Sequence, residues 1–293
     1  MLSDRQYEAP CSPGPVKTGF CTEPKAGAMD ETEVSGEQIR ETVSNRADVL
    51  ATLEANTSRK PMLVEELDVS RSTVDRAIGE LIDAGLAENE EGVYRATRTG
   101  RQAIGVYREY ADLTDDIATA EAITEALPPA APFDVTLLEH ADIRLAASHA
   151  PESALSGAVS MLKEINTLRG FAPVIKSNYA SLLYRELIGR GLDIELIIED
   201  QSRESLATLA DEWNELAELL AADEVTILKT DTNLPYALWI MSDRNREAAG
   251  VTVHESGSIV GTITNDSRDA VQWCRQQYES IRTDAEPLDL LDG

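Results

Sequence analysis

Cysteine, histidine, phenylalanine and tryptophan each occur only three times in 293 residues. Cys11, Cys21 and Cys274 form an odd, scattered set, which excludes a disulfide framework and reads as free thiols. His140, His149 and His254 share no metal-ligand spacing with them, so neither a metal nor any other cofactor is expected. No apolar run reaches the roughly 18 residues that cross a bilayer, and no short apolar core follows a basic start. A membrane partner is therefore not expected, and the chain reads as cytoplasmic. There is no glycine-rich phosphate loop, HExxH pair or nucleophile elbow, so an enzyme is not expected either. Lysine is scarce, at six against 20 arginines.

Acid is what the sequence has in excess: 53 acidic residues against 26 basic ones, a formal net charge of -27. A lysine-poor acidic surface suits molar salt, where the Debye length shrinks to roughly 3 Å and self-repulsion is muted. The composition thus points to a halophilic cytoplasm, with an acidic mesophilic protein as the alternative. Residues 1–28 differ, with zero net charge, two of the three cysteines and four of the twelve prolines. Acidic sequence begins directly after Met29, which makes Met29 a candidate natural start. Residues 1–42 are expected to be a disordered extension, too poor in apolar residues to offset their ordering entropy.

Residues 43–104 read as three helices and a hairpin. A first helix over 45–55 carries Val49, Leu50 and Leu53, and a second begins near Pro61, a residue suited to a first turn. A third opens at Ser72, an N-cap with Asp75 three residues on, and places Val74, Ile78, Leu81 and Ile82 at helical spacing. Gly85 supplies the left-handed position after it. Two β-prone runs, 86–88 and 93–97, flank a turn at 89–92.

A long helix is then predicted over 99–127, and a linker or dimerisation segment over 105–132. Val106, Tyr110, Leu113, Ile117, Ala120, Thr124 and Leu127 are spaced 4, 3, 4, 3, 4, 3, the rhythm of a coiled-coil seam. Packing of the same face on its own C-terminal domain is the alternative. Pro128 and Pro129 stop the helix. Residues 133–283 read as a mixed α/β domain. Strands are expected at 133–138, 143–147, 173–176, 192–198, 224–229, 236–241, 248–254 and 258–262, and helices at 152–168, 179–190, 203–220 and 267–282. An acidic tail, 284–293, is expected to fray.

The chemistry concentrates on the third helix. With Val74, Ile78 and Leu81 inward, Arg71, Ser72, Thr73, Asp75, Arg76 and Glu80 fall outward or at the rim. Arginine there can read guanine bidentately, and hydroxyls can reach bases or phosphates. Arg95, Arg98 and Arg101 around the hairpin could meet the backbone. Eight bases against eleven acids over 43–104 leave that stretch at -3, whereas 105–293 stands at -20. A separate candidate ligand site comprises Arg169, Lys176, Ser177, Asn178 and Tyr179 at an expected strand-to-helix junction; simple helix capping by Ser177 or Asn178 is the alternative.

On these residues, 43–104 resembles the winged helix of archaeal transcription regulators. Arg169–Val174, the 179–190 helix ending in Gly191, the 192–198 run, the stretch from Tyr236 to Val251, Gly257 and the Asp269–Tyr278 helix with Trp273 resemble haloarchaeal regulators related to the methanogenesis regulatory protein. The resemblance implies an α+β architecture: an N-terminal winged helix-turn-helix, a long linker helix and a C-terminal mixed α/β sensor domain. It implies a transcription regulator whose partner is double-stranded DNA, with a homodimer expected from the heptad rhythm and a small-molecule effector as a candidate. The alternative is a winged helix that docks a protein and binds no DNA.

Overall fold

Ser35 opens the first helix, its hydroxyl oxygen accepting from the Gln38 amide at 3.1 Å. The structure, a computed structural model, describes residues 34–173, 183–187, 189, 191–202, 206, 210 and 214–288. The reading of residues 1–28 and of Met29 lies outside them. The chain divides into two compact units, Met1–Ile104 and Gly105–Gly293.

In the first unit α1 spans Gly36–Ala55 and buries Val43, Val49, Leu50 and Leu53. It starts well before the expected residue 45, so 36–42 belong to a helix and not to a disordered extension. The reason is a kink at Arg46, where φ is -133°. The kink resets the apolar phase, so Ile39 and Val43 no longer look continuous with Val49 and Leu53. Helix α2 spans Lys60–Leu67 with Pro61 in its first turn. Helix α3 spans Arg71–Asp83 and buries Val74, Ala77, Ile78 and Leu81 against α1 and α2. Each such leucine or isoleucine contributes about 1.5–3 kcal/mol.

Gly85 follows α3 with φ +67°, and its amide and that of Leu86 return to Ile82 and Leu81 carbonyls. Strands β1 (Ala87–Glu90) and β2 (Val93–Ala96) pair antiparallel. Their turn is tighter than the four residues expected. Glu91 and Gly92 both take positive φ, +54° and +81°, and the Asn89 side chain accepts from the Gly92 amide at 2.9 Å. Ser58 adds a bridge on the other side of β2, exchanging both backbone bonds with Tyr94. Helix α4, Arg98–Thr119, starts against this hairpin. The Thr97 hydroxyl donates to the Gly85 carbonyl and accepts from the Gly100 amide. A Cβ at Gly100 would collide with the Leu86 carbonyl oxygen, so glycine lets α4 approach this closely.

The expected helix over 99–127 ends at Thr119, and a short α5 follows over Glu121–Glu125. Ala120 and Ile123 are fully buried in the core of the second unit, and Leu113 and Leu127 pack against that core. The proposed seam is therefore not one continuous face. Val106, Tyr110 and Ile117 are exposed, at 66%, 65% and 45%. Ala120, Leu113 and Leu127 serve their own domain, because a 3.5-residue rhythm satisfies an internal core as well as a partner helix.

The second unit is built on an eight-stranded mixed sheet. Its strands are β3 (Asp142–Leu145), β4 (Thr167–Ala172), β5 (Asp193–Glu199), β6 (Val225–Thr230), β7 (Ala237–Ser242), β8 (Glu247–Glu255), β9 (Ser258–Asn265) and β10 (Glu286–Pro287). Their order is β10-β6-β5-β4-β7-β8-β9-β3, with β4–β5 and β5–β6 parallel and the other pairs antiparallel. Alternate residues feed two cores, as the period of two requires. Leu238, Ile240, Val251 and Ile263 pack with Ile123 and with Val271, Cys274 and Tyr278 of α8 (Arg268–Arg282). Trp239, Met241, Leu168 and Ile194 pack with Ala158 and Leu162 of α6 (Ser156–Leu162) and with Leu216 and Leu219 of α7 (Asn214–Leu220).

Two expected elements are corrected, and one strand was not expected where it lies. Residues 133–138 form no strand; Val135–Leu137 is a 3₁₀ turn capped by Asp134, and adjacent Leu137 and Leu138 are both buried, against strand alternation. The helix expected over 152–168 ends at Leu162, after a 3₁₀ turn over Pro151–Leu155. Strand β4 then occupies Thr167–Ala172, ahead of the strand expected at 173–176. Residues 174–176 lie outside the described residues, as do parts of the helices expected at 179–190 and 203–220. Among the described residues no helix is long and apolar enough to cross a membrane.

Candidate nucleic-acid interface

The exposed half of α3 is set by its cap. Ser70, not Ser72, is the N-cap: its Oγ accepts from the Thr73 amide at 3.1 Å and lies 2.9 Å from Ser72 Oγ and 2.8 Å from Thr73 Oγ1. The extended backbone at Ser70 places the helix start there, two residues before the expected Ser72. Arg71, Ser72, Thr73, Asp75 and Arg76 are all exposed. Ser72, Thr73 and Arg76 fall on one stripe at i, i+1 and i+4. Neither Arg71 nor Arg76 forms an ion pair among the described residues.

The two acids on the same helix are tied down. Lys60 reaches Asp75 at 2.6 Å and lies 5.5 Å above the ring of Tyr94. Arg46 grips Glu80 with two hydrogen bonds, at 2.6 and 3.1 Å. The hydrogen bond from Lys60 holds the Asp75 carboxyl below its ordinary range, and that from Arg46 does the same for Glu80. These contacts clasp α3 to α2, to the hairpin and to α1. Sequence reading missed Arg46 and Lys60, because pairs 34 and 15 residues apart leave no local spacing signal.

Around the hairpin the arginines divide. Arg95 meets Glu88 at 2.8 Å across the register and Glu90 at 3.3 Å. Arg101 donates to the Ala96 carbonyl at 2.8 Å while staying exposed. Arg98, at the start of α4, is exposed with no ion pair among the described residues. Glu90 and Glu91 stand exposed at the hairpin tip.

Of the candidate ligand site only Arg169 falls within the described residues. Arg169 lies within β4, where its guanidinium binds the Asp193 carboxylate on β5 at 2.7 and 3.2 Å. It is thus a cross-strand pair and not a residue of a strand-to-helix junction. Lys176, Ser177, Asn178 and Tyr179 lie outside the described residues. Among the described residues no group of three His, Cys, Asp or Glu could hold a metal ion. Burial pushes the Cys274 thiol up to about 12, as suits a packing residue.

The chain is α+β, with a small, mainly helical N-terminal unit and a mixed-sheet C-terminal unit. Residues 151–284 match the family model of the methanogenesis regulatory protein FilR1, middle domain. Residues 36–122 match the family model of the HVO_A0261 N-terminal domain. The second unit is thus similar to a domain of a regulatory protein. Comparison with curated proteins gives no match. Among solved structures, TrmBL2, an archaeal chromatin protein described with a novel mode of DNA binding, is 12% identical. It aligns over 87% of this chain and 100% of its own, with a TM-score of 0.39. NucT from Helicobacter pylori is 10% identical over 50% of this chain and 98% of its own, with a TM-score of 0.38. Nuc from Salmonella typhimurium, a phospholipase D family member, is 12% identical over 50% and 97%, also at 0.38. Scores this low carry no functional inference.

Proposed function

We propose that the chain is a sequence-specific DNA-binding transcription regulator of the cytoplasm, working as a homodimer, with an effector-sensing C-terminal domain and no enzymatic activity. In this reading α1–α3 and the β1–β2 hairpin form a winged helix-turn-helix, and the N-terminal half of α3 enters the major groove. One observation carries it: Arg71, Ser72, Thr73 and Arg76 face solvent while the opposite face of the same helix is buried. Arg98 would add a phosphate contact from the start of α4. Similarity of residues 151–284 to a regulatory protein's domain supports the sensing half. The acidic, arginine-over-lysine composition supports a haloarchaeal setting. Exposed Val106, Tyr110 and Ile117 support a partner helix there, over a shorter seam than the heptads suggest.

Selection of the full chain against random duplexes tests the reading, with affinity followed across salt. A recurrent motif of two half-sites about one helical turn apart is expected. Recovery no better than for bulk duplex ends the sequence-specific reading. Glu90 and Glu91 at the hairpin tip favour a second reading, docking to a basic protein surface, since they would repel a phosphate backbone.

A further inference from the structure

The sheet of the second unit ends in two unlike edges. At one stands β10, two residues long and including Pro287, which has no amide hydrogen to offer a further strand. At the other stands β3, which pairs with β9 on its inner side. The Ala146 amide donates to the Val260 carbonyl at 2.8 Å, one step beyond the paired Leu145 and Gly261. Bonded and unbonded pairs alternate along an antiparallel ladder. Asp142 and Arg144 therefore bond to β9, and Ile143 and Leu145 turn their N–H and C=O groups to the free edge. Among the described residues no backbone bond reaches those groups.

An open edge is a template for another strand, and charged side chains usually guard it. Strand β3 carries two, on one face. Arg144 binds Asp142 of its own strand at 2.8 Å and donates to the Ser156 hydroxyl, yet the two side chains stay 41% and 46% exposed. These charges stand symmetrically about Ile143. Two copies of β3 running antiparallel and centred on Ile143 set each Asp142 opposite the partner's Arg144. Centred on Arg144 instead, they would set arginine against arginine. Opposite charges facing across a ladder stabilise it, and like charges directly opposite destabilise it. Leu145, on the other face, is 47% exposed. The His140 amide donates to Asp116 Oδ2 at 3.1 Å, so the C-terminal end of α4, with exposed Ile117, lies beside the chain that enters β3.

We propose that β3 is a self-pairing edge, at which two copies of the chain join antiparallel about Ile143 so that their sheets run on as one. The two Ile143 residues exchange both backbone bonds, and Asp142 and Arg144 of one protomer meet Arg144 and Asp142 of the other. The same patch serves both copies, as a twofold dimer requires. This interface rests on the homodimer reading above and gives that dimer a contact apart from the helix face. An unrelated strand would find the same open backbone groups but not the matched charges.

The test uses the full chain with Cys11→Ser and Cys21→Ser, Cys274 being buried. Into it go Asp142→Cys and, in a separate preparation, Arg144→Cys. Cα atoms of an unbonded antiparallel pair lie about 4.5 Å apart, within disulfide reach. Mild oxidation of the two preparations mixed should give a covalent dimer, and oxidation of either alone should not. The mixed dimer keeps one complete contact between Asp142 and Arg144. A covalent dimer from Arg144→Cys alone would reveal the other register and overturn the inference. In light scattering across concentration, Arg144→Asp should weaken the dimer about three- to tenfold, and Asp142→Arg added to it should restore the parent's behaviour. Weakening that the double exchange does not repair counts against the matched charges and overturns the inference. Should Arg144→Asp fail to fold, the crosslinking comparison still decides. A dimeric parent whose mixture does not crosslink defeats this interface alone, whereas a monomeric parent defeats the homodimer reading with it.

Discussion

The arginines of α3 and a set of five in the second unit behave differently. In the second unit Arg144, Arg169, Arg246, Arg275 and Arg282 each meet a carboxylate, on Asp142, Asp193, Glu164, Glu247 and Glu195. On α3 of the first unit Arg71 and Arg76 meet none among the described residues, although Asp75 and Glu80 lie one turn away. Those two acids are claimed by Lys60 and Arg46. The contrast teaches that an acidic chain can still present cations, if a second set of bases neutralises the nearby acids. Exposed pairs of this kind contribute little stability, so their main effect is on which charges remain open.

The sharpest way to break this contrast is to delete the open set. Arg71→Ala with Arg76→Ala should weaken DNA binding about hundredfold or more at fixed salt, at ~1–3 kcal/mol per bidentate base contact. Arg246→Ala with Arg275→Ala should leave it unchanged in the same mobility shift. Equal losses from both pairs would mean a generic charge effect.

A second experiment separates the exposed positions of the predicted seam from the buried α5 that follows them. Ile123→Ala removes a fully buried side chain and should cost about 2–5 kcal/mol in denaturant unfolding of the second unit. Val106→Ala with Tyr110→Ala should change stability by only ~0.5 kcal/mol or less, yet shift a dimer toward monomer in light scattering. Unchanged mass there would remove these residues from any dimer contact.

In the first unit, Gly100→Ala forces the start of α4 off the Leu86 carbonyl and should cost about 1–3 kcal/mol by thermal unfolding. In the second, the Arg282 guanidinium, with help from the Tyr278 hydroxyl, holds the Glu195 carboxyl below its ordinary range. Its contribution is therefore present above the unfolded carboxylate range and is lost as pH falls through the depressed folded value. Glu195→Gln should flatten that acid limb. Finally, in a chain carrying Cys11→Ser and Cys21→Ser, Cys274 should resist a thiol reagent until denaturant is added. Fast reaction in native buffer would contradict its burial.

How much of this was legible depends on where each signal lives. The helices of the first unit could be read because Leu50, Leu63, Ile78 and Leu81 repeat within one or two turns and Gly85 punctuates them. Strand β4 could not. Leu155, Val159, Leu162, Ile165 and Leu168 keep a helical rhythm past the point where α6 ends, so the strand's first residues looked like its continuation. Gly170 and Arg169 then gave it no alternation. The exposed arginines of α3 were legible as a face, but their lack of acidic partners was not, because it depends on pairs distant in sequence.

The notch at Gly261 has a practical consequence for anyone building chimaeras. A Cβ there would come within 2.6 Å of the Ile123 side chain, so α5 is keyed into β9 by a single absent methyl. Exchange of the first unit between relatives should therefore cut upstream of Leu113. A junction at Pro128, where the prolines stop the expected helix, would hand the recipient a lock without its key.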